Sequence, residues 1–423
     1  MMRFSNSVPK LSFILLCFFS TAVLAQVLQN DQVSKDFLKS ARHQSGKVPP
    51  NNHSSQGSPH DGIPNIDSVV NFSGQFNANG FDFQNNPQKK WDFNMVGNRP
   101  EHGGTTTINA PIIPVSIDLR NEDGSPRFVN GIRMISDATQ FVQPVLNSPV
   151  FSNATYSSSN VPTQFTDAIQ RAEFFDKAKP NWHTLLKPTV KLARTMTLIK
   201  GTYLFAVNDD GTCCAFILVD EGTFINSFLP IFGINQNTVV GNAENDGDIT
   251  TQDISTFLFP NTFLFVAGDL SFFTVGFHTY DFEPGTDTNG NVEKRFVLNY
   301  SSWVTPFVFF GDNFEDVTPL SHELSETFND PFVGSDSDHG LTPWWLAPNG
   351  GCQNLMEVGD VVEDLPRAAF PIVTNGVLYH PQNEALLPWF KFQSPSSAIH
   401  GAYSYPDENL LTALSPVQHV FCQ

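Results

Sequence analysis

The stretch Thr318–Phe332, "TPLSHELSETFNDPF", decides how the chain is read. Thr318 offers an N-cap hydroxyl, and Pro319 stands at the first helical position, where its missing N–H costs nothing. Leu320, Leu324 and Phe328 recur every four residues. The spacing predicts a helix whose apolar stripe packs on the preceding run "VTPFVFF", with Asn329-Asp330-Pro331 as its stop. His322 and Glu326 are also four apart and leave another face together, while Glu323 is rotated from His322 by about 100°. That is the layout of a zinc helix with Glu in place of the second His. Two ligands one turn apart reach one ion, and the residue after the first is offset enough to reach a water molecule instead. Zinc accepts carboxylate oxygen, so the exchange adds negative charge without altering the geometry. The plain alternative is an acidic, solvated helix face favoured by the helix dipole.

Working outward, a catalytic zinc site needs a third protein ligand and an open position. Downstream, "CQNLMEVGDVVED" carries Glu357 and Asp360 together. His339 in "SDSDHG", His380 in "LYHPQNE" and His278 in "GFHTY" are the other candidates, and the sequence does not choose among them. In a hydrolase built on this helix Glu323 is the general base, and His380 or Tyr379 steadies the oxyanion. Phe332 stands where some longer zinc motifs place a further His.

Ahead of the helix lies a series of strand-like runs: "INAPIIPVSIDLR", "TVKLARTMTLI", "GTYLFAVN", "CCAFILVD", "TFLFVAG", "FFTVGFHTY" and "RFVLNYSSWVTPFVFF". Turn clusters such as "NDDGT" and "EPGTDTNGN" separate them. Between Val161 and Lys179 the period changes, and Phe165, Ile169, Ala172 and Phe175 predict an amphipathic helix. Strands followed by a helix bearing a chemical motif imply an α+β domain with a mixed or antiparallel sheet. A twelve-residue stretch, Asn242–Asp253 ("NAENDGDITTQD"), has oxygen-bearing residues at alternate positions with Gly247 at the turn, the pattern of a calcium loop. The rival reading there is a polar turn before the next strand.

The order "SHELSETFNDP" then "MEVGD", with "VGFHTY" ahead of it, resembles the Exordium or phosphate-induced family and related bacterial secreted proteins. The resemblance spans about Leu270 to Asp364. It implies a zincin-like helix and metal binding, with His322, Glu323, Glu326, Glu357 and Asp360 as the residues concerned, and an extracellular setting. It does not imply established peptidase activity. The chain departs from the plant pattern in lacking the Cys-rich spacing around "EVGD".

The chain ends fit that setting. Arg3 and Lys10 precede the apolar run "LSFILLCFFSTAVLA", and small residues lead to Ala25, so residues 1–25 read as a cleaved signal peptide. Residues 26–104, rich in Asn, Gln, Ser and Gly, read as a low-complexity, disordered leader, with edge strands at "FSGQFNANGFDFQ" as the alternative. Residues 105–423 read as one zincin-like α+β domain. Of five cysteines, Cys17 leaves with the signal, and Cys213, Cys214, Cys352 and Cys422 remain for disulfides. With 42 acidic and 23 basic residues the net charge is -19. No basic cluster is present to neutralise phosphates, which argues against nucleic-acid binding, and no membrane contact is expected once the signal is removed. The sequence therefore points to a secreted zinc-dependent peptide or amide hydrolase acting on an extracellular peptide or protein. The rival is a non-catalytic cell-surface or matrix module with a structural metal site.

Overall fold

A computed structural model describes residues 31–40, 42–44, 65–81, 87–156, 161–230, 236–266, 269–306, 310, 314–333 and 341–415. The signal-type segment, His339 and Cys422 lie outside them. Among the described residues no helix is long and apolar enough to cross a membrane.

The architecture is α+β, and its principal sheet is mixed rather than antiparallel. Its spine is β3 (Thr105–Arg120), sixteen residues long. One length of β3 pairs in parallel with β4 (His183–Val190), from Thr105↔His183 to Ile112↔Val190. The next length pairs in parallel with β5 (Arg194–Ile199), from Val115↔Arg194 to Arg120↔Ile199. On its other side β3 meets β8 (Ile254–Pro260), which pairs in parallel with β11 (Glu293–Trp303). Two strands run antiparallel to their neighbours: β10 (Gly276–Glu283) beyond β11, and the two-residue strand Ile135–Ser136 against β3. A parallel sheet needs cover on both faces, which is why β8 is buried at every position.

Side-chain alternation sorts the residues between the two covers. Phe257, Phe259, Phe277 and Tyr300 pack with Phe224 and Phe228 of helix α2 (Glu221–Phe228). Ile112, Leu258, Val297 and Trp303 pack with Leu320, Leu324 and Phe328 of helix α4 (Thr318–Asn329). The helical stripe thus lies on β10 and β11, and residues 307–309 of the run expected to seat it lie outside the described residues. Thr318 is the first helical residue rather than the cap: Val317 holds the cap position with no side-chain bond. The Thr318 hydroxyl sits instead 2.7 Å from the Glu315 carbonyl and 2.6 Å from that of His380. The earlier helix α1 is shorter than its pattern, Phe165–Glu173, and Phe175 beyond it is exposed.

A smaller sheet contains β6 (Tyr203–Val207), β7 (Cys213–Asp220) and β9 (Thr262–Phe265). One residue, Asn261 at φ 40°, separates β8 from β9 and turns the chain from one sheet to the other. Cys213 and Cys214 are joined as a vicinal disulfide, and Cys352 is also disulfide-bonded.

Part of the stretch expected to be an unpacked leader is folded. β1 (Asn71–Phe81) and β2 (Pro87–Val96) form an antiparallel hairpin, the edge-strand alternative for that segment. Trp91, Phe93 and Met95 alternate along β2 and join Phe72, Phe76, Trp182, Trp345 and Trp389 in one cluster. These aromatic residues bury enough apolar surface to offset the ordering of a polar, Asn-rich strand.

Candidate metal centre

Helix α4 is buried at all twelve positions, which removes the reading of its acidic face as solvated. Several of its polar side chains find partners on the helix itself. Ser321 Oγ donates to the Thr318 carbonyl at 2.9 Å, Thr327 Oγ1 to that of Glu323 at 2.6 Å, and Asn329 Nδ2 to that of Ser325 at 3.0 Å. His322, Glu323 and Glu326 are left to meet groups from two other segments.

The first segment is β10. The pleat turns Phe277 to the aromatic side and Gly276, His278 and Tyr280 to the helix side. The second follows the short strand Cys352–Leu355, where Met356, Val358, Val361 and Val362 anchor the chain in the core and carry Glu357 and Asp360 past the helix.

Two groups result, and they share Glu326. In one, His322 Nε2 lies 3.1 Å from Glu326 Oε1 and 3.6 Å from Asp360 Oδ1. In the other, His278 Nδ1 lies 3.4 Å from Glu326 Oε2 and 3.6 Å from Glu323 Oε2. Ligands bound tetrahedrally at about 2.0–2.2 Å stand roughly 3.3–3.6 Å apart, so the three separations of 3.4–3.6 Å suit a shared ion better than direct hydrogen bonds, and the 3.1 Å pair is close to that spacing. Glu357 joins His278 rather than His322, with Oε2 3.8 Å from Nε2.

The donor set fits a divalent cation. His322 Nε2 and both carboxylate oxygens of Glu323 and of Glu357 are buried without a hydrogen-bond partner, and Glu323 is 0% exposed. Leaving such groups unpaired costs several kcal/mol each by order of magnitude, and a cation offsets that cost. Without one, burial pushes the Glu323 carboxyl up to about 7, against the pull of His278 and His322. Burial also drives Glu357 well above the usual carboxylate range, helped by Glu326 and Asp360. Burial acts to lower His278, but Glu357, Glu323 and Glu326 outweigh it and hold the ring well above its usual range. His322 is likewise raised despite burial, by Glu326, Asp360 and Glu323. Glu326 alone moves the other way: the two histidines overcome its burial and hold it far below the usual range.

Outer contacts set the orientations. Gln353 Nε2 donates to Asp360 Oδ2 at 2.6 Å, turning Oδ1 toward His322. The backbone N–H groups of Gly359 and Asp360 donate to Glu326 Oε1 at 3.1 and 3.3 Å. His278 Nε2 lies 3.2 Å from the Asp330 carbonyl; a proton donated there leaves the Nδ1 lone pair facing Glu323 and Glu326. Two glycines admit the close approach. A Cβ at Gly359 would stand 2.5 Å from His322 Nδ1, and one at Gly276 would stand 2.6 Å from Glu323 Oε1. Gly359→Ala is therefore expected to displace the imidazole and weaken any metal-ion binding there by about 10–100-fold, the scale of an outer-contact loss. Equilibrium dialysis checks it, and unchanged affinity would mean that His322 is not a ligand.

Of the residues picked from sequence, His322, Glu323, Glu326 and Asp360 converge, and Glu357 adjoins them through His278. His380 does not. Its Nδ1 lies 2.8 Å from Asp316 Oδ2 and 3.2 Å from Glu315 Oε1, a separate cluster before the helix start. Tyr379 is also turned away, its hydroxyl donating to the Pro144 carbonyl at 2.9 Å. His278, one of several histidines that sequence left open, is a central member; alternation with Phe277 and Tyr280 was the signal for its facing.

The calcium-loop reading of Asn242–Asp253 does not hold. Asn242 and Glu244 lie in helix α3 (Val239–Asn245), capped by the Thr238 hydroxyl. Asp246 and Asp248 bind Arg194 at 2.9 and 2.6 Å, and Asp253 accepts from the Thr250 N–H at 2.8 Å. Asp246 and Asp248 thus hold a guanidinium where the cation would be. The buried His, Glu and Asp groups around α4 remain as a centre able to hold a metal ion. No family model, no functionally characterised protein and no solved structure matches this chain, so the reading of the centre rests on its own residues.

Proposed function

We propose that the chain is an exported zinc-dependent hydrolase of peptide or amide bonds, related in design to the zincins, with zinc on His322, Glu326 and Asp360. The observation that carries this reading is the buried, unpartnered His322 Nε2 facing two carboxylates at 3.1 and 3.6 Å. Zinc, when bound, polarises a carbonyl and makes water acidic near neutral pH. Glu323, next to the first ligand and without a hydrogen-bond partner, takes the proton from water and delivers it to the leaving nitrogen. Asp360 is the most open of the ligands, its side chain 13% exposed against 1% and 2% for His322 and Glu326, so substrate enters from its side. His380 and Tyr379 take no part.

A second reading is favoured by the depth of the site: with every other ligand buried, the ion would be structural and the protein a non-catalytic extracellular module. Zinc content and digestion of a generic peptide mixture separate the two. Glu323→Gln is expected to keep the zinc on His322, Glu326 and Asp360 and, at one equivalent of zinc, to lose about 10²–10⁴-fold in rate. Wild type that cleaves nothing at one equivalent of bound zinc establishes the second reading. Equal zinc in wild type and His322→Ala overturns both.

A further inference from the structure

We infer that Glu326 bridges two cation sites rather than serving one, with a second divalent ion held by His278 Nδ1, Glu323 Oε2 and Glu326 Oε2.

The two oxygens of Glu326 face different imidazoles, Oε1 toward His322 Nε2 at 3.1 Å and Oε2 toward His278 Nδ1 at 3.4 Å. His278, Glu323 and Glu326 present one ligand atom each, all within 4.8 Å of one another, as do His322, Glu326 and Asp360. The residues of the second set are 3%, 0% and 2% exposed, and both oxygens of Glu323 lack a hydrogen-bond partner. The ring of His278 is set for ligation by the Asp330 carbonyl behind it, at 3.2 Å from Nε2. Glu357, 3.8 Å from the same nitrogen, adds negative charge behind the ring, as outer carboxylates do for metal-bound histidines. One nitrogen and two carboxylate oxygens suit zinc or manganese, and a carboxylate shared between neighbouring ions is the arrangement of two-metal hydrolytic centres.

The inference goes beyond the one-ion reading and shares Glu326 with it. It also gives Glu323 two uses that exclude each other, proton acceptor with one ion bound and ligand with two. A second ion is therefore expected to silence the hydrolysis that the first supports.

The test is the stoichiometry of zinc in the full chain, by dialysis and elemental analysis, with circular dichroism to confirm folding. Wild type is expected to hold two ions. His278→Asn and Asp360→Asn are each expected to hold one, and Glu326→Gln to fall below either. One ion in wild type, lost in Asp360→Asn but not in His278→Asn, overturns the second site and leaves the one-ion reading standing. No ion in wild type removes both. Glu326→Gln that keeps one tightly bound ion overturns the bridge. In a peptide assay, activity is expected to rise with the first equivalent of zinc and fall at least tenfold with the second. Activity unchanged by the second equivalent in a protein that binds two ions overturns the ligand role of Glu323.

Discussion

Stripped of divalent cations by a chelator, the protein is expected to lose thermal stability steadily as the pH is raised from about 5 to 8. Added zinc should restore it at pH 8 far more than at pH 5. The sign follows from the buried groups. Glu323, Glu357, Glu363 and Glu384 are all raised by burial, Glu323 to about 7, so each binds its proton more tightly folded than unfolded. Their contribution is intact below the unfolded value near 4.5 and is lost as the pH climbs through the folded one. His278 and His322 are raised as well, and lose their contribution above their unfolded value near 6.5. Glu326 is lowered and acts in the opposite sense, but only as the pH falls below about 4.5. A tenfold difference in proton affinity between the folded and unfolded chain is worth about 1.4 kcal/mol, so the combined loss is on the order of several kcal/mol. A bound cation replaces the missing protons and reverses the trend at the alkaline end. Melting curves across this pH range, with and without zinc, check it. A metal-free protein more stable at pH 8 than at pH 5 would contradict the burial of these carboxylates.

Leu324→Ala is expected to destabilise the protein by about 2–5 kcal/mol whether or not metal is present. Leu324 is 0% exposed and lies in the middle of the stripe that seats α4 on the sheet, among Leu320, Phe328, Val297 and Trp303. Removing its side chain leaves a cavity that the β-strands close only partly. Denaturant unfolding of metal-free wild type and variant at pH 5 isolates this contribution from that of the carboxylates. A loss below about 1 kcal/mol would mean that this stripe is not the seat of the helix.

The helix itself was legible because both of its periodicities, the apolar stripe and the His322–Glu326 pair, are local. Asp360 was legible as a choice within "EVGD", not as the selected ligand, because its side chain is turned by Gln353 from the neighbouring strand. His278 is selected by a pairing register, His278↔Asn299, that no short stretch encodes. The same limit explains the sheet. The strand runs left a mixed and an antiparallel sheet both open, whereas β3 takes parallel partners from near residues 190 and 257, over distances at which sequence pattern is silent. The hairpin at 71–96 was obscured by its Asn-rich composition, although the alternation Trp91, Phe93, Met95 was visible. The calcium pattern misled because it counted oxygens and ignored Thr238, Val239, Val240 and Ala243, which spell a capped helix.

The centre draws on three stretches far apart along the chain, around residues 278, 322–326 and 357–360. During synthesis, a nascent chain halted before Asp360 already carries His278 and the whole of α4, yet has no way to complete the cluster around His322. Completion of the site therefore waits for residues 357–360, and reports that this stretch has docked beside α4.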